Sequence, residues 1–264
     1  MINIAIFVSG SGTNCENLIK YFANSERVHC ALVVSNKADA YGLVRAERLG
    51  VPTAVMPKAQ LNDEAAMMAL MRQYGIDFIV LAGFLPLIPD FLIDAYPRRI
   101  VNLHPALLPK YGGKGMWGHH VHEAVKAAGE TETGMTVHYV TPVCDSGEII
   151  AQYRCALSPD DTADDIAAKE HQLEMEYFPQ VVEQVLKTIS SLFFLSVVVL
   201  HLNGKDDDTT GAGDEVGGKQ IPVAYQCSLH HKGCTANGHR NEAGKRDAVG
   251  VTGTDGLNGL RQIT

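Results

Sequence analysis

Asn102 and His104 stand two positions apart at the end of an apolar, strand-like run, in the segment N-L-H-P-A-L-L-P-K-Y of residues 102–111. Alternate residues of a strand point to the same face, so the amide and the imidazole are expected to leave the strand side by side. Together they provide a hydrogen-bond donor and a proton source that titrates near neutral pH. A carbonyl that becomes a tetrahedral oxyanion needs both. Pro105 and Pro109 end the regular structure and stiffen the loop that follows. The alternative is a buried structural histidine beside an asparagine that caps a turn.

A second polar segment follows a later strand. The strand-like sequence G-M-T-V-H at residues 134–138 leads into a loop that contains Asp145 within D-S-G. If both strands deliver their ends to one edge of a sheet, Asp145 can approach His104, raise the pKa of the imidazole and favour its charged form. Ordinary turn chemistry explains D-S-G equally well.

The turn after the first strand, S-G-S-G-T-N at residues 9–14, is suited to binding an anion. Its glycines allow a close backbone approach, and the helix that follows offers unpaired amides and the positive end of its dipole. The sequence matches neither the dinucleotide fingerprint nor the phosphate loop with its lysine, and a plain helix cap is the alternative. Glu174, in a late helix, could accept hydrogen bonds from ribose hydroxyls or could simply be a solvated surface charge.

The elements that must position these residues alternate between strand and helix. Strands are predicted at residues 2–9, 29–35, 53–56, 78–82, 100–103, 135–140 and 148–154. Helices are predicted at residues 14–23, 40–49, 63–74, 119–128 and 162–186, the last interrupted at Pro179. This order predicts an α/β fold, a doubly wound and mostly parallel sheet with helices on both faces.

Composition excludes several classes of partner. The formal charge of −8 argues against nucleic-acid and membrane-surface binding, although backbone amides can still hold a phosphate. Six scattered cysteines and the absence of a secretory signal before the first strand predict reduced thiols and a cytoplasmic location. The longest apolar stretch, residues 192–202, is shorter than the roughly 20 residues that span a bilayer.

The last part of the chain has a different composition, which predicts a catalytic domain at residues 1–188 and a glycine-rich extension at residues 189–264. Residues 203–264 contain 12 of the 25 glycines and a single aromatic residue, Tyr225. We expect this segment to be disordered or the product of a shifted reading frame, because it cannot bury enough apolar surface. It contains Cys227, His230, His231, Cys234 and His239. These lack paired zinc-ligand spacing, so no metal is predicted.

Five motifs, in this order and in a strand–helix context, resemble the phosphoribosylglycinamide formyltransferases, a folate-dependent formyltransferase family of purine biosynthesis. They are S-G-S-G-T-N at 9–14, L-A-G-F at 81–84, N-L-H-P-A-L-L-P-K-Y at 102–111, G-M-T-V-H at 134–138 and D-S-G at 145–147. The resemblance runs from Met1 to about Leu186 and includes none of the extension.

The resemblance implies a reaction and a set of catalytic residues. Members of the family move a formyl group from 10-formyltetrahydrofolate, a co-substrate, to the glycine amine of 5'-phosphoribosylglycinamide, without a metal or a covalent enzyme intermediate. By this resemblance, Asn102 and protonated His104 stabilise the oxyanion, and His104 donates a proton. Asp145 holds and charges His104 and relays a proton through water, and His138 supports the site.

Binding residues are implied in the same way. The substrate phosphate would lie at Gly12, Thr13 and Asn14, and Glu174 would hold the ribose. The pterin would lie along Leu85, Pro86, Leu87 and Ile88, mainly against backbone groups, with Asn102 at its reactive end. Two features depart from the family: Pro86 replaces a residue that is polar or basic in many relatives, and residues 60–72 show no counterpart of a basic folate-binding residue.

Three alternatives remain at this point. A 10-formyltetrahydrofolate hydrolase uses a similar set of residues, but it carries an N-terminal regulatory domain, whereas this chain starts at the first strand. A methionyl-tRNA formyltransferase would need an RNA-binding domain and a more basic charge. A non-catalytic nucleotide- or folate-binding module would not need an oxyanion donor. The expected partners are therefore the two small-molecule substrates, bound by a monomer or homodimer.

Overall fold

In the computed structural model, the described part of the chain is residues 1–203, with side chains described up to Ile189. Over this range one seven-stranded sheet has the strand order β3-β2-β1-β4-β5-β6-β7. Its strands are β1 (Ile2–Val8), β2 (Val28–Ser35), β3 (Thr53–Val55), β4 (Phe78–Leu81), β5 (Ile100–His104), β6 (Glu132–Tyr139) and β7 (Ile149–Ala156). The pairs among β1 to β5 are parallel, and β6 and β7 are added in antiparallel orientation.

The helices are α1 (Thr13–Phe22), α2 (Tyr41–Arg48), α3 (Lys58–Leu61), α4 (Glu64–Gln73), α5 (Asp90–Ala95), α6 (His119–Ala127) and α7 (Ala163–Asn203). The predicted fold class, a mostly parallel doubly wound sheet with helices on both faces, is confirmed. The short helices α3 and α5 were not predicted. Each is too short to show a full amphipathic period.

Strand β1 explains why the sheet is covered on both sides. Ile4, Ile6 and Val8 are buried in one apolar cluster, which also contains residues of α1, α2 and α7. Ala5 and Phe7 are buried in a second cluster with residues of α4 and α5. Since successive side chains of a strand point to opposite faces, a continuously apolar strand requires helices on both.

Helix α7 continues through Pro179, so the predicted interruption at that residue is wrong. Proline has no N–H and leaves the carbonyl four residues earlier, that of Met175, without its helical donor. The side-chain amide of Asn17 in α1 donates to this carbonyl at 2.8 Å. A tertiary hydrogen bond therefore replaces the missing helical one.

The predicted boundary after residue 188 falls inside α7, which continues to Asn203. The sequence from Gln180 to Asn203 contains neither glycine nor proline, so nothing in it ends a helix. Residues 204–264, including the Cys/His group at residues 227–239, lie outside the described residues.

Candidate active site

The carboxyl ends of the parallel strands β1, β4 and β5 lie at one edge of the sheet, and the antiparallel β6 runs beside β5. In the strand register, Phe7 of β1 pairs with Leu81 of β4, Leu81 with Asn102 of β5, and Asn102 with His138 of β6. After β1 the chain forms β2 on one side of that strand, and it later forms β4 on the other side. Open α/β sheets bind ligands at such a switch point in strand order. The loops after β1, β4 and β5 therefore open beside one another.

The imidazole of His104 is buried at this edge, with 4% of the residue exposed. Its Nε2 donates a hydrogen bond to the backbone carbonyl of Tyr111 at 2.7 Å. Its Nδ1 lies 3.7 Å from Oδ2 of Asp145, which is close enough for a strong charge interaction but long for a hydrogen bond.

His138 connects Asn102 to this pair. Its Nδ1 donates to the carbonyl of Tyr139 at 2.9 Å, and its Nε2 lies 3.1 Å from Nδ2 of Asn102. In the neutral ring, Nε2 accepts one of the two amide hydrogens of Asn102. The second hydrogen remains available to a ligand, so His138 orients the amide without blocking it.

The backbone of Asp145 has a φ of 52°, a conformation that residues other than glycine rarely adopt. Its Oδ2 accepts a hydrogen bond from the N–H of Gly113 at 2.8 Å, and its Oδ1 lies 3.6 Å from Nε2 of His138. Burial alone would raise the pKa of this carboxyl, but His138, the Gly113 amide and His104 together lower it to about 2. Asp145 is therefore a permanent negative charge beside two imidazoles.

The direction of the His104 pKa differs from the expectation. Burial lowers the pKa of the imidazole below its ordinary value, and this effect exceeds the opposing ones of the Asp145 charge and the Tyr111 carbonyl. Asp145 does raise the pKa, as expected, but it does not control the outcome. The sequence showed the charged neighbour and could not show how deeply the ring is buried.

The turn after β1 is built from backbone contacts. Gly12 precedes α1 with φ of 72°, and no side chain caps the helix. A Cβ on Gly12 would lie 2.3 Å from the Cα of Gly42 in α2, so the close approach requires glycine. Nε of Arg45 donates to the carbonyl of Ser11 at 2.9 Å, and the same guanidinium pairs with Glu16. The carbonyl and N–H of a trans peptide point in opposite directions, so this contact turns the N–H of Gly12 away from Arg45.

Of the predicted binding residues, Asn14 and Glu174 come together. Nδ2 of Asn14 donates to Oε2 of Glu174 at 2.8 Å, which joins α1 to α7. His171, which was not predicted, lies 3.1 Å from the same oxygen through its Nδ1. The hydrogen bond with Glu174 raises the pKa of this histidine. Oδ1 of Asn14 is buried without a hydrogen-bond partner, and a buried acceptor of this kind requires a donor.

The loop after β4 presents an apolar surface. Leu85 and Leu87 are 47% and 70% exposed, whereas Ile88 is buried in the core against α5 and offers no free side chain. The hydroxyl of Ser9 joins this loop to the turn after β1, because it accepts from the N–H of Leu85 at 2.9 Å. It also donates to Oδ1 of Asn36 at 2.6 Å.

Four contacts at the site were missed by sequence reasoning: the carbonyl of Tyr111, the N–H of Gly113, the guanidinium of Arg45 and the imidazole of His171. The first two are backbone groups, for which side-chain types give no signal. Arg45 has the appearance of a surface residue in an amphipathic helix. Among residues 1–203 there is no group of three or more His, Cys, Asp or Glu side chains that could hold a metal ion. Within the same residues no helix is long and apolar enough to cross a membrane.

The fold and this edge define a class: a doubly wound α/β protein whose switch point combines a turn suited to an anion with an Asn–His–Asp cluster suited to a developing oxyanion. The formyl transferase family matches residues 2–182, and the chain belongs to that family. The resemblance predicted from the five motifs is thereby confirmed.

Several relatives carry a more specific name. The chain is 38% identical over 194 residues to the chloroplastic phosphoribosylglycinamide formyltransferase of Arabidopsis thaliana, covering 70% of this chain and 66% of that protein. It is 36% identical over 191 residues to the phosphoribosylglycinamide formyltransferase of Bacillus subtilis, covering 70% of this chain and 95% of the relative. A cowpea (Vigna unguiculata) relative with the chloroplastic name is covered over 61% of its length.

Solved structures of proteins with equivalent names have a similar fold. Glycinamide ribonucleotide transformylase 1 from Geobacillus kaustophilus superposes with a TM-score of 0.65 at 34% identity, covering 70% of this chain and 99% of that one. The phosphoribosylglycinamide formyltransferase of Anaplasma phagocytophilum gives a TM-score of 0.65 at 31% identity, covering 70% and 87%.

Proposed function

We propose that the protein is a phosphoribosylglycinamide formyltransferase, which moves the formyl group of 10-formyltetrahydrofolate to the glycine amine of 5'-phosphoribosylglycinamide in purine biosynthesis. The observation that carries this proposal is the position of the turn after β1 and of Asn102 and His104 in β5 at the same edge of the sheet, with Asp145 beside His104. Membership in the formyl transferase family and the names of the relatives support the same activity.

The acceptor's phosphate is assigned to the turn at Gly12, Thr13 and Asn14, since an uncapped helix N-terminus binds anions. Glu174, already joined to Asn14, accepts hydrogen bonds from the ribose hydroxyls. The unpartnered Oδ1 of Asn14 can accept a further hydrogen bond from the bound nucleotide or its water. These contacts fix the ribonucleotide so that its amine extends toward β5.

The donor's pterin is assigned to the loop after β4. Leu85 and Leu87 supply its apolar wall, and backbone groups of residues 85–88 supply its polar contacts. The N–H of Leu85 is already used by Ser9, and Pro86 has none. The backbone groups that remain to bind the pterin are the N–H groups of Leu87 and Ile88 and the carbonyls of the loop. Asn102, at the end of the neighbouring strand, faces the formyl group.

The chemistry then follows from the cluster. The amine nitrogen attacks the formyl carbon, and the carbonyl π electrons move to oxygen, which accepts a hydrogen bond from the free amide hydrogen of Asn102. Burial lowers the pKa of His104 and so favours its neutral form, and the neutral ring takes the proton that the attacking nitrogen releases. The imidazolium formed beside Asp145 passes this proton to N10 of the folate as the carbon–N10 bond breaks and the carbonyl re-forms.

This sequence of steps modifies one expectation. Protonated His104 was expected to stabilise the oxyanion, and in the proposed steps the protonated ring forms only as the amine releases its proton. Asp145 retains its expected task, because a permanent carboxylate stabilises the imidazolium while it exists. We place the reaction in the cytoplasm, on small-molecule substrates bound by a monomer or homodimer.

The test is formyl transfer by the purified full-length chain, with 10-formyl-5,8-dideazafolate as donor, followed by the absorbance of the deformylated product. Turnover that depends on the ribonucleotide is expected. Donor cleavage without the ribonucleotide would instead identify a hydrolase. The absence of turnover both with and without the ribonucleotide, in folded protein, would contradict catalysis and favour a binding module.

A further inference from the structure

The hydrogen bond between His104 and Tyr111 decides which nitrogen of the imidazole can exchange a proton. The acceptor is a backbone carbonyl, which has no hydrogen to give, so Nε2 of His104 must be the donor across the 2.7 Å contact. Nε2 therefore carries a hydrogen in both the neutral and the charged ring. Only Nδ1, on the side of Asp145, can gain or lose one.

Asp145 does not make this choice in the free protein. A carboxylate that fixes a histidine tautomer accepts a hydrogen bond from the ring, and it would then hold Nδ1–H. The separation of 3.7 Å between Nδ1 and Oδ2 of Asp145 is too long for that bond. The Oδ2 atom is instead bound to the N–H of Gly113 at 2.8 Å.

The backbone segment that carries the Tyr111 carbonyl is held in place by the contacts of Tyr111 and Lys110 with Glu130. The Tyr111 hydroxyl donates to Oε1 of Glu130 at 2.8 Å, and Nζ of Lys110 reaches the same oxygen at 2.8 Å. Burial, followed by the hydrogen bond with Glu130, raises the pKa of the phenol to about 12, so it remains a donor. Tyr111 itself has φ of 56°, a conformation that is costly for tyrosine and persists only where surrounding contacts enforce it.

We propose that Tyr111 and Glu130 are positioning residues that fix His104 as the Nε2–H tautomer and leave Nδ1 as the nitrogen that takes and returns the proton. They act through His104 and touch neither substrate. The kinetic consequence rests on the proposed formyl transfer, whereas the tautomer can be measured without it.

The tautomer is read by NMR of the full-length chain labelled with ¹⁵N in its histidine rings, with the His104 signals assigned by their loss in His104→Asn. At a pH where the ring is neutral, we expect a protonated Nε2 and an unprotonated Nδ1. In Tyr111→Phe the signals should shift toward a mixture of both tautomers. An Nδ1–H tautomer in the wild type, or signals of Tyr111→Phe that match the wild type, would overturn the proposal.

The kinetic test compares Tyr111→Phe and Glu130→Gln with Glu132→Gln. Glu132 pairs with Arg154 at 2.5 Å in the same region and is a matched control. We expect Tyr111→Phe to lower kcat about tenfold while both KM values stay within about twofold, because a displaced proton acceptor slows chemistry more than binding. Glu130→Gln keeps an acceptor for the hydroxyl and should lose less, and Glu132→Gln should match the wild type.

The two proposals fail in different ways. Unchanged kcat in both Tyr111→Phe and Glu130→Gln, from folded protein, would overturn the positioning role. An inactive wild type with the Nε2–H tautomer would overturn the formyl transfer and leave the tautomer assignment standing.

Discussion

The two halves of the sheet edge are built by opposite means. The turn after β1 is made of backbone from six consecutive residues, 9–14, and its shape depends on the absence of a side chain at Gly12. The catalytic cluster is made of side chains from β5, β6 and the loop after β6, which meet only in the folded sheet. In the proposed function, the acceptor's phosphate is therefore bound by one short segment that α2 holds in shape, whereas the chemistry depends on side chains from three separate segments.

The two halves also differ in their electrostatics. The turn offers partial positive charge from amides that need no proton, so its strength is independent of pH over the physiological range. In the proposed mechanism the cluster relies on a fixed carboxylate and on an imidazole that takes up and returns a proton. Substitutions in the turn should change KM for the ribonucleotide, and substitutions in the cluster should change kcat.

His104→Ala should give the largest effect. It removes the proton acceptor and leaves the turn intact, so kcat should fall about 10²- to 10⁴-fold, with KM for the ribonucleotide within about threefold. Steady-state absorbance assays measure both parameters. Turnover near that of the wild type would contradict the assigned role, and a parallel rise in KM would erase the distinction between the two halves.

Gly12→Ala should act on the other half. Its Cβ would meet the backbone of Gly42 at a positive φ, which costs about 1–3 kcal/mol and displaces the turn. We expect KM for the ribonucleotide to rise at least about tenfold with kcat within about threefold. Gly10→Ala is the matched control, because a Cβ there has no neighbour within 4 Å. Equal effects of the two substitutions would show that the close contact with α2 is unimportant.

Arg45→Met should give a smaller effect of the same kind. It removes the hydrogen bond to the Ser11 carbonyl, so the Gly12 N–H is oriented less firmly, and KM for the ribonucleotide should rise about three- to fivefold. Arg48→Met, in the same helix, is the control, since Arg48 contacts the Tyr41 hydroxyl at 3.1 Å instead. A change in kcat without a change in KM would contradict the assignment of Arg45 to the turn after β1.

The smallest effect concerns the titration of His104 itself. Burial lowers its pKa below 6.5 and Asp145 opposes this, so Asp145→Asn should lower the pKa further. As the pH falls, the unfolded chain binds a proton at His104 before the folded protein does. The free energy of unfolding therefore decreases as the pH falls below 6.5. NMR titration of His104 in both proteins measures the shift. A higher pKa in Asp145→Asn would reverse the assigned interaction.

The sequence predicted those parts of the site in which residue type and spacing determine geometry. Asn102 and His104 are two apart in a strand, so they share a face whatever surrounds them. The unbroken apolar run from Ile4 to Val8 in β1 likewise required a sheet covered on both sides. Glycine at the turn after β1 predicted a close approach of the backbone to a ligand, whereas the close approach that the structure shows is to Gly42 of α2.

The remaining parts depend on distant contacts. The lowered pKa of His104 depends on burial beneath the loop at residues 105–113, and the persistence of α7 past Pro179 depends on Asn17. The tautomer depends on a main-chain carbonyl. None of these has a signature in residue type, because each is decided by contacts that form only after folding.

The most direct test of the central claim is a comparison of two acceptors, the ribonucleotide and the same molecule without its phosphate, in the wild type and in Gly12→Ala. In the wild type, loss of the phosphate should lower kcat/KM at least about 100-fold and change kcat far less, because the turn binds and the cluster reacts. In Gly12→Ala this preference for the phosphorylated acceptor should be largely lost. Equal kcat/KM for both acceptors in the wild type, or a preference that Gly12→Ala leaves intact, would contradict the assignment of the phosphate to this turn.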